Sequence, residues 1–292
     1  MSKLAWLGHK CLGVSLLAIL TVQVAVAQDA EEEVVPGKWY NSLVARLAGS
    51  QVGFQNWAGG GINSLSASAG LDGKAQMTNA SLKQTHEFRL GLGGISQNDE
   101  ELRKAEDIIA ASATFEYLGE GFFSEWHPTF SAALLTQFLD GYDYAADPKV
   151  RVSGLFAPGY VTESLGLTHQ FAPYLSQRFG VAAKQTIVTA EELRPLYGNA
   201  ADETVRFEAG LESRTDFEKE VAENVTYKSS LGIFAGFSDI GHPDVNWSNL
   251  ITMKVNSWLN VNFEWVTLYD NDVLDKVQFR EVLSVGALFN LR

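Results

Sequence analysis

Val225-Thr226-Tyr227-Lys228-Ser229-Ser230-Leu231-Gly232-Ile233-Phe234-Ala235-Gly236-Phe237-Ser238 alternates with a period of two: Val225, Tyr227, Ser229, Leu231, Ile233, Ala235 and Phe237 against Thr226, Lys228, Ser230, Gly232, Phe234, Gly236 and Ser238. Successive side chains of a strand point to opposite faces, so this segment has one apolar and one polar face. The pattern returns with Val245, Trp247, Ile251, Met253 and Val255 against Asn246, Ser248, Thr252, Lys254 and Asn256. It returns again with Leu259, Val261, Phe263 and Trp265 against Asn260, Asn262 and Glu264. Each run has about ten residues or more, enough to cross a bilayer at a tilt, and short polar turns separate the runs. The expected fold is all-β: an antiparallel transmembrane β-barrel.

Working outward, candidate strands are Leu43–Phe54, Ile62–Met77, Leu82–Ile95, Asp107–Leu118, Trp126–Phe138, Lys149–Ala157, Ser164–Ala172, Phe179–Thr189, Thr204–Arg214, Asn224–Phe237, Asp244–Val255, Leu259–Tyr269 and Val277–Leu291. Helical periodicity is conceivable only near Trp39–Leu47 and Asp99–Asp107. Thirteen segments conflict with the even strand number of bacterial single-chain barrels, so about 12 strands are expected, with 10 or 14 open. Leu43–Phe54, which alternates poorly, and Ser164–Ala172, which runs into Pro173, are the segments most open to rejection. If the last strand runs inward, Ser257 lies in a periplasmic turn, and Ala190–Asp202 and Asp270–Asp275 face outside. Ser96–Lys104 would then be a long periplasmic connection.

The polar parity assigns Arg206, Glu208, Glu212, Arg214, Lys228, Lys254, Glu264 and Arg280 to the lumen. Interleaved signs suit a wide general porin or a narrow barrel filled by ion pairs and hydrogen bonds; the second is favoured, because charges facing one another across a narrow lumen need partners. Ser64, Ser66, Ser68 and Gly70 leave local room there. Trp126, Tyr142, Tyr160, Trp247, Trp258, Trp265 and Tyr269 fall near strand ends, as the aromatic girdles of membrane barrels do.

The N-terminus reads as a secretory signal over residues 1–27: Lys3 and Lys10 are basic, Cys11–Val24 is apolar, and Ala25-Val26-Ala27 is an A-x-A cleavage site. Residues 28–40 then form an acidic periplasmic leader and residues 41–292 the barrel. Cleavage removes Cys11, the chain's one cysteine, and with it disulfide and thiolate chemistry. It also takes the net charge from −13 to −15, since two lysines are lost. That balance argues against nucleic-acid binding. Much of the acid lies between strands, in positions for solvated loops or for divalent-bridged lipopolysaccharide.

Residues 51–65, Gln51-Val52-Gly53-Phe54-Gln55-Asn56-Trp57-Ala58-Gly59-Gly60-Gly61-Ile62-Asn63-Ser64-Leu65, resemble the opening Q…NWxxGG…NS segment of a family of uncharacterised Bacteroidetes-type outer-membrane barrel proteins, one of the domains of unknown function. Further matches follow in order: Thr136-Gln137-Phe138 with Gly141-Tyr142, Phe156–Tyr160, Glu223-Asn224-Val225, Val245-Asn246-Trp247 and Leu268–Asp272. The resemblance implies an outer-membrane barrel and supplies no catalytic residues. Unlike the usual barrel, which ends in an aromatic residue read by the assembly machinery, the chain ends in Arg292.

No chemical motif stands out. Asn56–Gly61 lacks the Lys-Ser/Thr of a phosphate loop. His86, His127, His169 and His242 are scattered and have no cysteine partners, so no metal site or cofactor is expected. Ser131 or Ser164 with His169 could be imagined as a hydrolase, but no nucleophile-elbow sequence accompanies them. No catalytic, cofactor-binding or metal-ligating residue is therefore assigned. The reading is a non-enzymatic outer-membrane barrel, a narrow channel or a structural or accessory protein. Its expected partners are outer-membrane lipid and lipopolysaccharide, the barrel assembly machinery and a small solute in passage. The alternatives are a barrel-embedded lipid-modifying or proteolytic enzyme, and a secreted soluble ligand-binding barrel with its apolar parity turned inward.

Overall fold

A computed structural model describes residues 35–52, 63–98 and 100–291. The signal segment 1–27, residues 28–34 of the leader, the Asn56–Gly61 run and Arg292 lie outside the described residues. The strands are β1 (Trp39–Val52), β2 (Ser64–Thr78), β3 (Leu82–Gln97), β4 (Arg103–Tyr117), β5 (Trp126–Thr136), β6 (Gly141–Asp143), β7 (Val150–Ser153), β8 (Gly159–Ala172), β9 (Leu175–Ile187), β10 (Val205–Ala222), β11 (Val225–Gly236), β12 (Asp244–Lys254), β13 (Leu259–Asp270) and β14 (Leu274–Asn290). Twelve of them close an antiparallel barrel, while β6 and β7 form a separate hairpin. The barrel closes where β14 pairs with β1, from Val44↔Asn290 to Gly49↔Val285.

The surplus segment is Lys149–Ala157, which contributes β7 to the small hairpin; β5 pairs directly with β8. The two segments suspected from sequence are both barrel strands. Of Leu43–Phe54, residues 43–52 belong to β1, whose alternation is broken because Val44 points inward and is buried; 53 and 54 lie outside the described residues. Ser164–Ala172 is the second part of β8, which begins at Gly159. The helical readings fail as well: Trp39–Leu47 lies in β1, and 103–107 open β4. The barrel thus starts at Trp39, two residues inside the expected leader.

Removing one strand reverses the rim assigned to every connection upstream of it. One rim carries the connections 79–81, 118–125, 173–174, 223–224 and 255–258. The other carries 100–102, 137–158, 188–204, 237–243 and 271–273, together with Asn63 and Asn98. Asn98 and residues 100–102 therefore sit at the long-loop rim, which corrects the long periplasmic connection expected at Ser96–Lys104. Ser257, Ala190–Asp202 and Asp270–Asp275 lie at the rims expected from sequence.

Register and burial identify the faces. Leu47, Leu65, Leu165, Phe179, Phe207, Leu211, Phe279 and Leu283 are large, apolar and exposed on the outer surface. Arg46, Asp72, Arg89, Glu106 and Lys184 occupy the opposite parity, inside. Near the short-turn rim the outer face carries neighbouring rings: Trp39–His86–Phe115–Phe130, Trp126–His169–Phe171, and Tyr174–Phe217–Tyr227–Trp265–Phe263. An outward apolar band bordered by aromatic rings matches the polarity profile of a bilayer. Trp126 and Trp265 belong to this belt, as expected. Tyr160 does not: it points inward and is buried, while Tyr142 lies in the β6–β7 hairpin.

Candidate functional site

The lumen is divided lengthwise. Along the arc β13-β14-β1-β2-β3-β4 stands a cluster of three arginines and three carboxylates. Arg46 pairs with Asp72 and lies 3.9 Å from Glu106. Arg89 lies 3.8 Å from Asp72, 3.7 Å from Glu106 and 3.7 Å from Glu264, which also pairs with Arg280. The small residues of β2 and β3 accommodate this cluster. A methyl group at Gly70 would fall on the Arg46 guanidinium, and one at Gly91 on the Glu106 carboxylate. The room that Gly70 leaves in the sequence is thus filled by an arginine from the adjacent strand.

A cavity of about 430 Å³ occupies lumen space beside this cluster. Its walls carry the pairs Lys74–Glu87 (3.5 Å), Lys83–Glu116 (2.8 Å), Arg178–Glu212 (2.5 Å), Arg214–Asp216 (2.8 Å) and Lys228–Glu218 (2.5 Å). At the short-turn rim it reaches Pro173, Tyr174 and Glu218, whose side chain is 54% exposed. At the other end it reaches Asp244, Leu268, Asp270 and Gln278, all buried. A second cavity of about 190 Å³ lies at the long-loop rim, among Arg206, Glu208, Ser238, Asp239, His242, Asn271 and Asp272. The two share Phe234 and Asp244.

Between them sits Lys184. Its Nζ lies 2.5 Å from Asp244 Oδ2, 3.2 Å from Glu208 Oε2 and 3.9 Å from Asp270 Oδ2, and 5.3 Å from the centre of the Phe234 ring. Arg206 joins Glu208 (3.2 Å) to Asp272 (2.5 Å). The site draws on β9, β10, β11, β12 and β13, consecutive neighbours in the wall whose ladder registers bring these residues to one level.

The long connections cover part of the same rim. Leu193 and Tyr197 of the 3-10 turn Glu191–Tyr197 are buried with Leu135, Ala157, Tyr160 and Val188. Tyr197 donates its hydroxyl proton to the Val152 carbonyl (2.7 Å), and burial pushes its phenol pKa up. Arg151 ties the two connections together through Asp140 (2.7 Å) and Glu192 (3.0 Å). In the 237–243 loop, the hydrogen bond from His242 to Asp239 raises the imidazole pKa and lowers that of the carboxylate.

All eight residues expected in the lumen carry its parity. Lys254 differs from the rest in standing exposed at the end of β12. The imagined hydrolase is not assembled. Ser131 and Ser164 meet inside the barrel (Oγ–Oγ 2.9 Å), whereas His169 stacks on Trp126 on the outside. Arg46, Asp72, Arg89, Glu106, Arg178, Lys184, Asp244, Asp270 and Gln278 were not singled out from sequence. Their signal was the charge on the polar parity, which could have been read in β1–β4 and β9 as it was in β10–β14.

Residues 50–142 match the sequence profile of a family described as "Protein of unknown function (DUF3078)". No curated protein matches the chain. Among solved structures, the chain is similar to the translocator domain of the autotransporter NalP from Neisseria meningitidis, with 10% identity over 88% of this chain and 90% of that one and a TM-score of 0.38. It is similar to an outer-membrane channel from Pseudomonas putida F1, with 9% identity over 90% and 98% of the two chains and a TM-score of 0.39. It is also similar to the NanC porin, with 9% identity over 85% and 100% and a TM-score of 0.38.

Proposed function

We propose that this protein is a non-enzymatic integral outer-membrane β-barrel that forms a narrow channel for small polar solutes, and that a signal peptide over residues 1–27 is cleaved during export. One observation carries the reading: the apolar parity faces out and the charged parity faces in. Leu65, Phe207 and Leu283 would be stranded in water on a soluble barrel, while a ligand-binding lumen of that class would be apolar. In a bilayer the same arrangement buries the apolar band in hydrocarbon and closes every backbone hydrogen bond around the ring. The short-turn rim faces the periplasm, and the acidic long-loop rim faces outside towards lipopolysaccharide. The paired lumen charges and the cavity of about 430 Å³ favour a conduit of low conductance over a wide pore.

Fractionation of expressing cells, with gel mobility in detergent before and after boiling, tests the location. Sedimentation with the outer membrane and a boiling-dependent shift are expected; a soluble periplasmic protein without a shift would sink the proposal. Planar-bilayer recording then tests the conduit: small, discrete conductance steps are expected, and their complete absence would leave a barrel without a channel.

A further inference from the structure

The constriction between the two cavities carries more negative charge than its own cations balance. Glu208, Asp244, Asp270 and Asp272 face only Lys184 and Arg206 in the ion pairs at this level. The Gln278 side chain lines the large cavity beside Asp244 and Asp270. The residue is 8% exposed, and its Oε1 accepts no hydrogen bond. A buried acceptor without a donor is unfavourable by about 1–3 kcal/mol, so a donor brought to this oxygen would be stabilised. Among the described residues no group of histidines and carboxylates is gathered closely enough to hold a metal ion. What the constriction does hold is an ammonium: Lys184 Nζ, set among three carboxylates with the Phe234 ring alongside. Carboxylates and an aromatic face around a cation are the recognition elements for alkylammonium groups.

We infer that this constriction is a selectivity site for small organic ammonium ions, with Lys184 as its tethered occupant. A diffusing amine exchanges with Lys184 among Glu208, Asp244 and Asp270 and donates to Gln278 Oε1 on the cavity side. Acid at the outer cavity, from Asp239 and Asp272, raises the local concentration of such cations. The inference rests on the channel reading above, but its test is separate.

The probe is 1,4-diaminobutane, titrated calorimetrically into the purified full-length protein in detergent at constant ionic strength, with succinate as the opposite-charge control. Lys184→Met removes a competitor whose effective concentration is in the millimolar range and is expected to tighten diamine binding about tenfold. Adding Asp270→Asn is expected to abolish that gain. Gln278→Leu, which leaves every charge in place, is expected to weaken diamine binding to the otherwise unaltered protein severalfold and serves if Lys184→Met does not fold. Succinate binding as tightly as diaminobutane overturns the inference, as does affinity unchanged by either substitution. Loss of the boiling-dependent mobility shift would count against the barrel, whereas these titrations report on the ammonium site alone.

Discussion

Arg89 on β3 and Glu264 on β13 form an ion pair, Nη2 to Oε2 3.7 Å, although β2, β1 and β14 lie between their strands around the barrel wall. The contact crosses lumen space rather than following a hydrogen-bonded ladder. It draws the β1–β14 seam and its flanking strands together from inside.

Glu264→Gln leaves Arg89 and Arg280 each short of a carboxylate in a partly buried site. A loss of about 1–3 kcal/mol is expected in urea unfolding from lipid vesicles, together with a larger single-channel conductance. Unchanged stability and conductance would show that the cluster neither braces nor narrows the lumen.

The parity assignment can be tested at adjacent positions of β14. Leu283 is 67% exposed on the outer face, and an arginine there meets hydrocarbon, with an expected loss of about 2–4 kcal/mol near the bilayer midplane. Val282 faces the lumen opposite Glu264, so Val282→Arg should be tolerated much better. Folding yield into vesicles compares the two, and equal effects would contradict the orientation.

Leu193 anchors the 3-10 turn that covers the rim and is only 2% exposed. Leu193→Ala is expected to weaken that packing by about 2–4 kcal/mol. Its consequence should be local: faster proteolysis and amide exchange in 137–158 and 188–204, with the barrel's boiling-dependent shift retained. Exchange rates unchanged in those loops would show that the anchor is elsewhere.

His242 and Asp239 predict a pH response in the 237–243 loop. Their hydrogen bond is the main cause of both shifts, raising the imidazole above 6.5 and lowering the carboxylate below 3.8. The histidine's contribution is complete below its unfolded pKa and disappears as pH rises through the raised value. The aspartate's is present above its unfolded pKa and disappears as pH falls through the lowered value. The loop is therefore held best in mildly acidic solution and loosens on the alkaline side. An NMR titration of the His242 ring should find a midpoint above 6.5 that falls back in Asp239→Asn; no change in that variant would reject the pairing.

The strands of the C-terminal third were legible because each keeps a predominant period of two between turn residues. Errors arose where the period was broken inside a wall strand or kept outside the wall. Val44 places an apolar side chain inside β1 and masks its alternation. Lys149–Ala157 alternates like a wall strand but is spent in a hairpin held over the rim, where Lys104 binds Asp107 (3.1 Å), Gln137 (2.9 Å) and the Leu139 carbonyl (3.1 Å). Nothing local to that segment distinguishes it from β8.

By itself the sequence determined that the chain forms strands with opposed apolar and charged faces, because side-chain parity is a local property of extended backbone. It also determined that the lumen would be charged and need internal pairing. Which strands close the ring, which connections share a rim, and which charges meet were decided only by the tertiary structure. Lys184, Glu208, Asp244 and Asp270 are far apart in sequence, and Arg89 and Glu264 farther still. The register of each ladder and the closure of β14 on β1 fix their heights and bring them within reach across the lumen.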